Sequence, residues 1–101
     1  MNIYLIQQLN TNYFKIGITK KKVEVRLKEL QIGSGIELKL VHSFKTNFKF
    51  KLETALHKSY DHKKVNSEWF ELDDLDVNDF LKLCLKTEQA FEDIKHNYFF
   101  K

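Results

Sequence analysis

Proline is missing from this chain, and cysteine (Cys84) and arginine (Arg26) each occur once; there are three glycines in 101 residues. A single cysteine excludes an internal disulfide framework and a multi-cysteine zinc site, and it favours a reducing, intracellular setting, cytoplasm or nucleus. No apolar run approaches the ~20 residues that a membrane-spanning helix needs. Strand-like sequence starts immediately, so no signal peptide is expected. Internal repeats, low-complexity stretches and flexible linkers are also missing, which leaves room for one compact domain and little more.

What is present suits a globular protein: 43% of residues are hydrophobic and 31% charged, with nine phenylalanines, four tyrosines and one tryptophan to build a core. The net charge of +3 conceals an asymmetry, because residues 1–64 carry +8 and residues 65–101 carry −5. A basic first two-thirds suits a polyanionic partner, nucleic acid being the commonest. A solvated lysine-rich surface accounts for the same charge.

Hydrophobic periodicity gives the order ββαβα and then a helical tail. "IYLIQQL" (3–9) and "YFKIGIT" (13–19) alternate and are separated by the Asn-rich "LNTN", the pattern of an antiparallel hairpin. One face of that hairpin holds Ile3, Leu5, Phe14, Ile16 and Ile18. The other holds Tyr4, Ile6, Tyr13, Lys15 and Gly17. Val23, Leu27 and Leu30 fall on one stripe of a helix from about residue 21 to 32, which stops at "GSG" (33–35). A third strand is predicted over 38–44, and a second helix over about 48–60 with Phe48, Leu52, Ala55 and Leu56 buried. Glu53, His57 and Tyr60 line an adjacent face of that helix. "SEWFEL" (67–72) reads as an edge strand or a capping turn. Two further helical segments follow, the first with Leu75, Phe80, Leu83 and Cys84 and the second with Phe91 and Ile94.

Tyr4, Lys15, Arg26, Glu53 and His57 are the polar residues that this layout can gather. Such a set is chemically complete for phosphodiester hydrolysis. A carboxylate can hold Mg²⁺ together with waters and phosphate oxygens. An arginine can grip the phosphate and stabilise its developing charge. A tyrosine and a lysine can orient a water and shift its protons. Each residue also has an ordinary role open to it: Tyr4 as a strand aromatic, Lys15 as an exposed strand lysine, Arg26 as a helix residue covering apolar surface, Glu53 and His57 as an i, i+4 surface pair.

At these positions the sequence resembles the GIY-YIG endonuclease superfamily. "IYLI" (3–6) is similar to the first motif, with Tyr4 as its tyrosine, and "KIGIT" (15–19) to the second, with Gly17 as its glycine. "VRLKEL" (25–30) places Arg26 on the catalytic arginine, and "ETALH" (53–57) places Glu53 on the metal-binding glutamate. "KIGIT", the E-x-x-L-H spacing and "EWFEL" together resemble the branch that contains meiotically up-regulated gene type domains and small phage and large-DNA-virus proteins. Two positions depart from the motifs. Asn2 stands where the family name has glycine, at a place that supplies backbone. Lys15 stands where the second motif has tyrosine, as is typical of this branch.

The resemblance implies a small α/β (α+β) fold, a three-stranded antiparallel sheet flanked by helices, over residues 1–72. Residues 73–101 are then an acidic helical extension that packs on the core or forms an interface. It implies an endonuclease that cleaves DNA with Mg²⁺ (or Mn²⁺) held by Glu53, leaving a 5′ phosphate and a 3′ hydroxyl. Catalytic roles fall to Tyr4, Lys15, Arg26, Glu53 and His57. Lys20, Lys21, Lys22, Lys45, Lys49 and Lys51 are candidate phosphate contacts. No DNA-binding domain is attached in this sequence, so low sequence specificity is expected, or dependence on a homodimer or larger complex. A catalytically inactive nucleic-acid-binding or protein-interaction module of the same fold is the rival expectation. A different enzyme that uses Glu53 and His57 as a metal pair is a third.

Overall fold

The computed structural model describes residues 1–99, without the side chains of Lys49 and of residues 97–99, so the proposed Lys49 phosphate contact lies outside the described residues. Strands β1 (Asn2–Gln8) and β2 (Tyr13–Thr19) form the hairpin, in which Tyr4 faces Gly17 and Ile6 faces Lys15. Asn10 closes the turn at φ 63°, a left-handed conformation that asparagine tolerates better than most residues. Helix α1 (Val23–Ile32) follows, then β3 (Leu38–Lys45), which pairs with β1 on its other side.

Helix α2 (Lys49–Ser59) has Phe48 at its N-cap position with no side-chain cap, and the Thr46 hydroxyl accepts the Phe48 N–H at 3.0 Å in the turn that leads into it. After a short 3-10 turn come β4 (Lys64–Asn66) and β5 (Trp69–Glu71), then a single helix α3 (Asp74–Phe99).

The sheet has five antiparallel strands in the order β3-β1-β2-β5-β4, not three. "SEWFEL" supplies β5, which lies inside the sheet between β2 and β4 and not at its edge, because the fully exposed "KVN" of β4 pairs with it from outside and has no apolar alternation to announce it. The two helical segments of the tail are one helix, because nothing between residues 86 and 90 breaks it.

The two faces of the hairpin are buried differently. Ile3, Leu5, Phe14 and Ile16 join Leu52 and Leu56 of α2, Phe70 of β5 and Phe80 and Cys84 of α3 in the larger core. Tyr4 and Ile6, on the opposite face, pack against Val23, Leu27 and Leu30 of α1. The sheet is therefore the middle of three layers, with α1 on one side and α2 and α3 on the other. Leu75, Leu85 and Ile94 of α3 are exposed rather than packed.

The isolated residues His42 and Cys84 are structural. The His42 imidazole Nε2 lies 2.9 Å from the Val77 carbonyl, and its ring stacks on Phe80. Cys84 is fully buried, and burial pushes its thiol up to about 12, so it is inert.

Candidate active site

The site lies at the edge of β2, where the strand outruns its neighbour. β5 pairs with β2 only from Tyr13 to Lys15. Beyond that point the Ile16 N–H donates to the Glu68 carbonyl at 3.1 Å, and the Ile16 carbonyl accepts from His57 Nε2 at 2.9 Å. A carbonyl can only accept, so this bond fixes the His57 proton on Nε2 and leaves Nδ1 as the second nitrogen. The same bond ties α2 to the sheet edge. Edge-on packing of the His57 ring on Phe70, 5.0 Å between centroids, holds it there.

Glu53 stands one helical turn before His57 and therefore at the same edge. From there its carboxylate feels the charges of Lys15 and Glu68, which belong to the other side of the sheet. An edge position, not a face, is what allows α2 and α1 to contribute to one site. Burial raises the Glu53 pKa above the ordinary carboxylate value, with His57 and Lys15 pulling it down and Glu68 pushing it further up. Among the described residues, no hydrogen bond or ion pair occupies the Glu53 carboxylate.

Tyr4 comes from the centre of β1 and is 1% exposed. Its ring crosses β2 over Gly17: a β-carbon at Gly17 would fall 2.2 Å from the Tyr4 hydroxyl oxygen and 2.4 Å from Cζ. The glycine is needed for space, since its φ is not in the left-handed region. On that same face of the sheet the hydroxyl interacts with the Arg26 guanidinium, which belongs to α1. Burial raises the Tyr4 pKa, and the arginine opposes that rise without cancelling it, so the phenol is protonated at neutral pH. The contact with Tyr4 in turn raises the pKa of Arg26 and secures its charge.

Lys15 is only 15% exposed in its side chain and lies 2.7 Å from a Glu68 carboxylate oxygen, with its ammonium 5.6 Å from the centre of the Trp69 ring. Glu68 follows Ser67, whose φ of 38° is uncommon for a residue with a side chain. This tight β4–β5 turn aims Glu68 back at β2. Glu68 escapes notice in the sequence, where it is one acid in "SEWFEL".

The five expected catalytic residues are thus brought to one edge, with Glu68 as an unforeseen sixth. Tyr60, on the same helical stripe as Glu53 and His57, turns instead into the larger core against Phe70 and Phe80, where burial pushes its phenol up to about 12.

The lysines divide. Lys20 and Lys21 line an open cleft of about 290 Å³ together with Arg26, Glu29 and Phe50, and Glu29 ion-pairs with both Lys21 and Arg26. Lys51 lines a hollow on the other side of Phe50. Lys22 caps the start of α1, and Lys45 ends β3, so neither is gathered into that cleft. Among the described residues, no three His, Cys, Asp or Glu side chains cluster as a multidentate metal site, and none of the helices is long and apolar enough to cross a membrane. His57 spends Nε2 on the Ile16 carbonyl, which weakens a Glu53–His57 metal pair.

Comparison with known proteins adds a family. No curated protein and no solved structure matches the chain. The T5orf172 domain matches residues 1–86, which takes in every residue of the site and runs into α3 as far as the part that fills the core. With most of its length matched, the chain belongs to the T5orf172 domain family.

Proposed function

We propose that this protein is a metal-dependent endonuclease of the GIY-YIG type that cleaves DNA phosphodiester bonds with low sequence specificity. The observation that carries the proposal is the convergence at the β2 edge of a protonated Tyr4, a charged Arg26 and an unpartnered, half-buried Glu53 carboxylate, contributed by three different elements. Membership of the T5orf172 family and the basic cleft beside Arg26 agree with a nucleic-acid substrate.

The Glu53 carboxylate fits Mg²⁺ (or Mn²⁺). It is partly desolvated and, among the described residues, forms no ion pair or hydrogen bond, and magnesium is commonly held by one or two carboxylates with waters and phosphate oxygens completing the shell. A bound divalent ion supplies charge neutralisation at the phosphate and the departing 3′ oxygen. The chain's own residues supply the rest. Arg26 donates to non-bridging phosphate oxygens and stabilises the charge that develops there. Tyr4, with its hydroxyl pinned between Gly17 and Arg26, orients the attacking water by a hydrogen bond. Its raised pKa favours the protonated phenol in the resting site. As the water oxygen bonds to phosphorus and the bond to the 3′ oxygen breaks, the water's proton passes to bulk solvent through the open cleft and the departing 3′ oxygen takes a proton back from solvent. Lys15, half-buried beside Tyr4, donates to the water or the phosphate, and Glu68 holds its ammonium in position. His57 acts as a positioning residue, locking α2 and hence Glu53 to the strand edge.

Nicking of supercoiled plasmid with Mg²⁺, run beside Glu53→Gln, tests the proposal. Cleavage is expected from the wild type and its loss from Glu53→Gln, with DNA binding in EDTA retained by both. DNA binding without cleavage of plasmid, branched DNA or RNA in Mg²⁺ or Mn²⁺ would leave the binding-module alternative as the correct one.

A further inference from the structure

Phe50 is the feature that the site does not use. It is 61% exposed, an unusual state for a phenylalanine, and it stands in the first turn of α2, three residues before Glu53. That spacing puts it on the same side of the helix as the carboxylate, about 4.5 Å away along the axis. Three hollows share the ring: the cleft with Arg26, Lys20 and Lys21, one of about 410 Å³ with Lys51, Lys58, Ala55 and Phe91, and one of about 450 Å³ with Lys51, Lys95 and Phe48. Glu29 is the acid in these linings, and Lys21 and Arg26 neutralise it.

We infer that Phe50 is a stacking platform for an unstacked nucleobase of a single DNA strand next to the phosphate held at Arg26. The inference rests on the proposed nuclease site and names its substrate class. A flat apolar ring flanked by cations on both sides matches the alternation of base and phosphate along a strand. Stacking on an aromatic face is open to any base, in keeping with low sequence specificity. Bases within an intact duplex are stacked on each other and do not reach the ring, so single-stranded or frayed DNA is bound in preference.

Binding of a 12-nucleotide single strand, its abasic counterpart with the same phosphates, and a 12-base-pair duplex, read by fluorescence anisotropy in EDTA at one fixed salt concentration, tests the inference. Phe50→Ala should weaken binding of the base-bearing strand about tenfold and leave the abasic strand and the duplex unchanged. Phe50→Trp should restore the wild-type affinity. EDTA removes turnover, so the result stands whether or not the protein cuts plasmid. Equal loss on base-bearing and abasic strands, no loss on either, or a wild type that binds no single strand would overturn the inference. So would a Phe50→Ala protein that sediments as a smaller species than the wild type, because a second copy would then cover the ring.

Discussion

Tyr4 and Gly17 face each other across the β1–β2 hairpin, and the tyrosine ring occupies the space that any side chain at position 17 would take. The hydroxyl reaches Arg26 only because that space is empty. Gly17→Ala must displace the ring, since both the hydroxyl and Cζ lie well inside contact distance of the added carbon. Tyr4 is buried and has nowhere to retreat, so overpacking of about 1–3 kcal/mol is expected in urea denaturation. Plasmid nicking should fall further than that stability loss explains, because the displaced hydroxyl leaves Arg26. Full activity in a Gly17→Ala protein would show that the position of Tyr4 is not critical.

Glu53 sets functional need against stability. Burial raises its pKa in the folded protein, so the folded state prefers the protonated acid. The resulting penalty is absent below the unfolded-state value, grows as pH rises between the unfolded and folded values, and is complete above the folded value. Glu53→Gln should therefore melt a few degrees higher than wild type at pH 7.5, and the difference should vanish below about pH 4. Mg²⁺ should raise the melting temperature of wild type and not of Glu53→Gln. A variant less stable than wild type at pH 7.5 would mean that Glu53 is a structural group.

The two strands that build the site were legible because alternation of period two fixes both faces of a hairpin at once, and Tyr4, Lys15 and Gly17 fall on the face opposite Ile3 and Leu5. The stripe of Val23, Leu27 and Leu30 announced a packed helix but not which face of the sheet it covers. Nor does the sequence reveal that α2 approaches the strand edge, which depends on β5 ending at Lys15. Glu68 was invisible for a related reason: its position depends on a left-handed Ser67 between two three-residue strands, one of them fully exposed. Phe50 falls off the predicted buried stripe of Phe48, Leu52, Ala55 and Leu56, so its exposure was legible, but its place beside the cleft of Arg26, Lys20 and Lys21 depends on how α2 packs.

Lys15 and Glu68 offer a way to separate pairing from chemistry. The ion pair is partly solvent-exposed, so its net worth is at most about 1 kcal/mol. Lys15→Met should cost roughly that much in urea denaturation and about 10²-fold in single-turnover cleavage. Adding Glu68→Gln removes the carboxylate left unpaired and should recover the stability without the cleavage. Recovery of both by the double variant would reduce Lys15 to a neutralising partner of Glu68.

His57 is assigned a positioning role because its Nε2–H is donated to the Ile16 carbonyl, which lies in a fully buried residue. His57→Ala leaves that carbonyl without its partner and should cost about 1–3 kcal/mol, with cleavage reduced as α2 loosens from the edge. Glutamine can place an amide N–H where Nε2 stood, yet it has no titratable nitrogen. His57→Gln should therefore keep most of the stability and cleave within a few-fold of wild type, with an unchanged pH–rate profile. Loss of cleavage in His57→Gln with stability intact, or a shifted profile, would instead place the imidazole in the proton transfer itself.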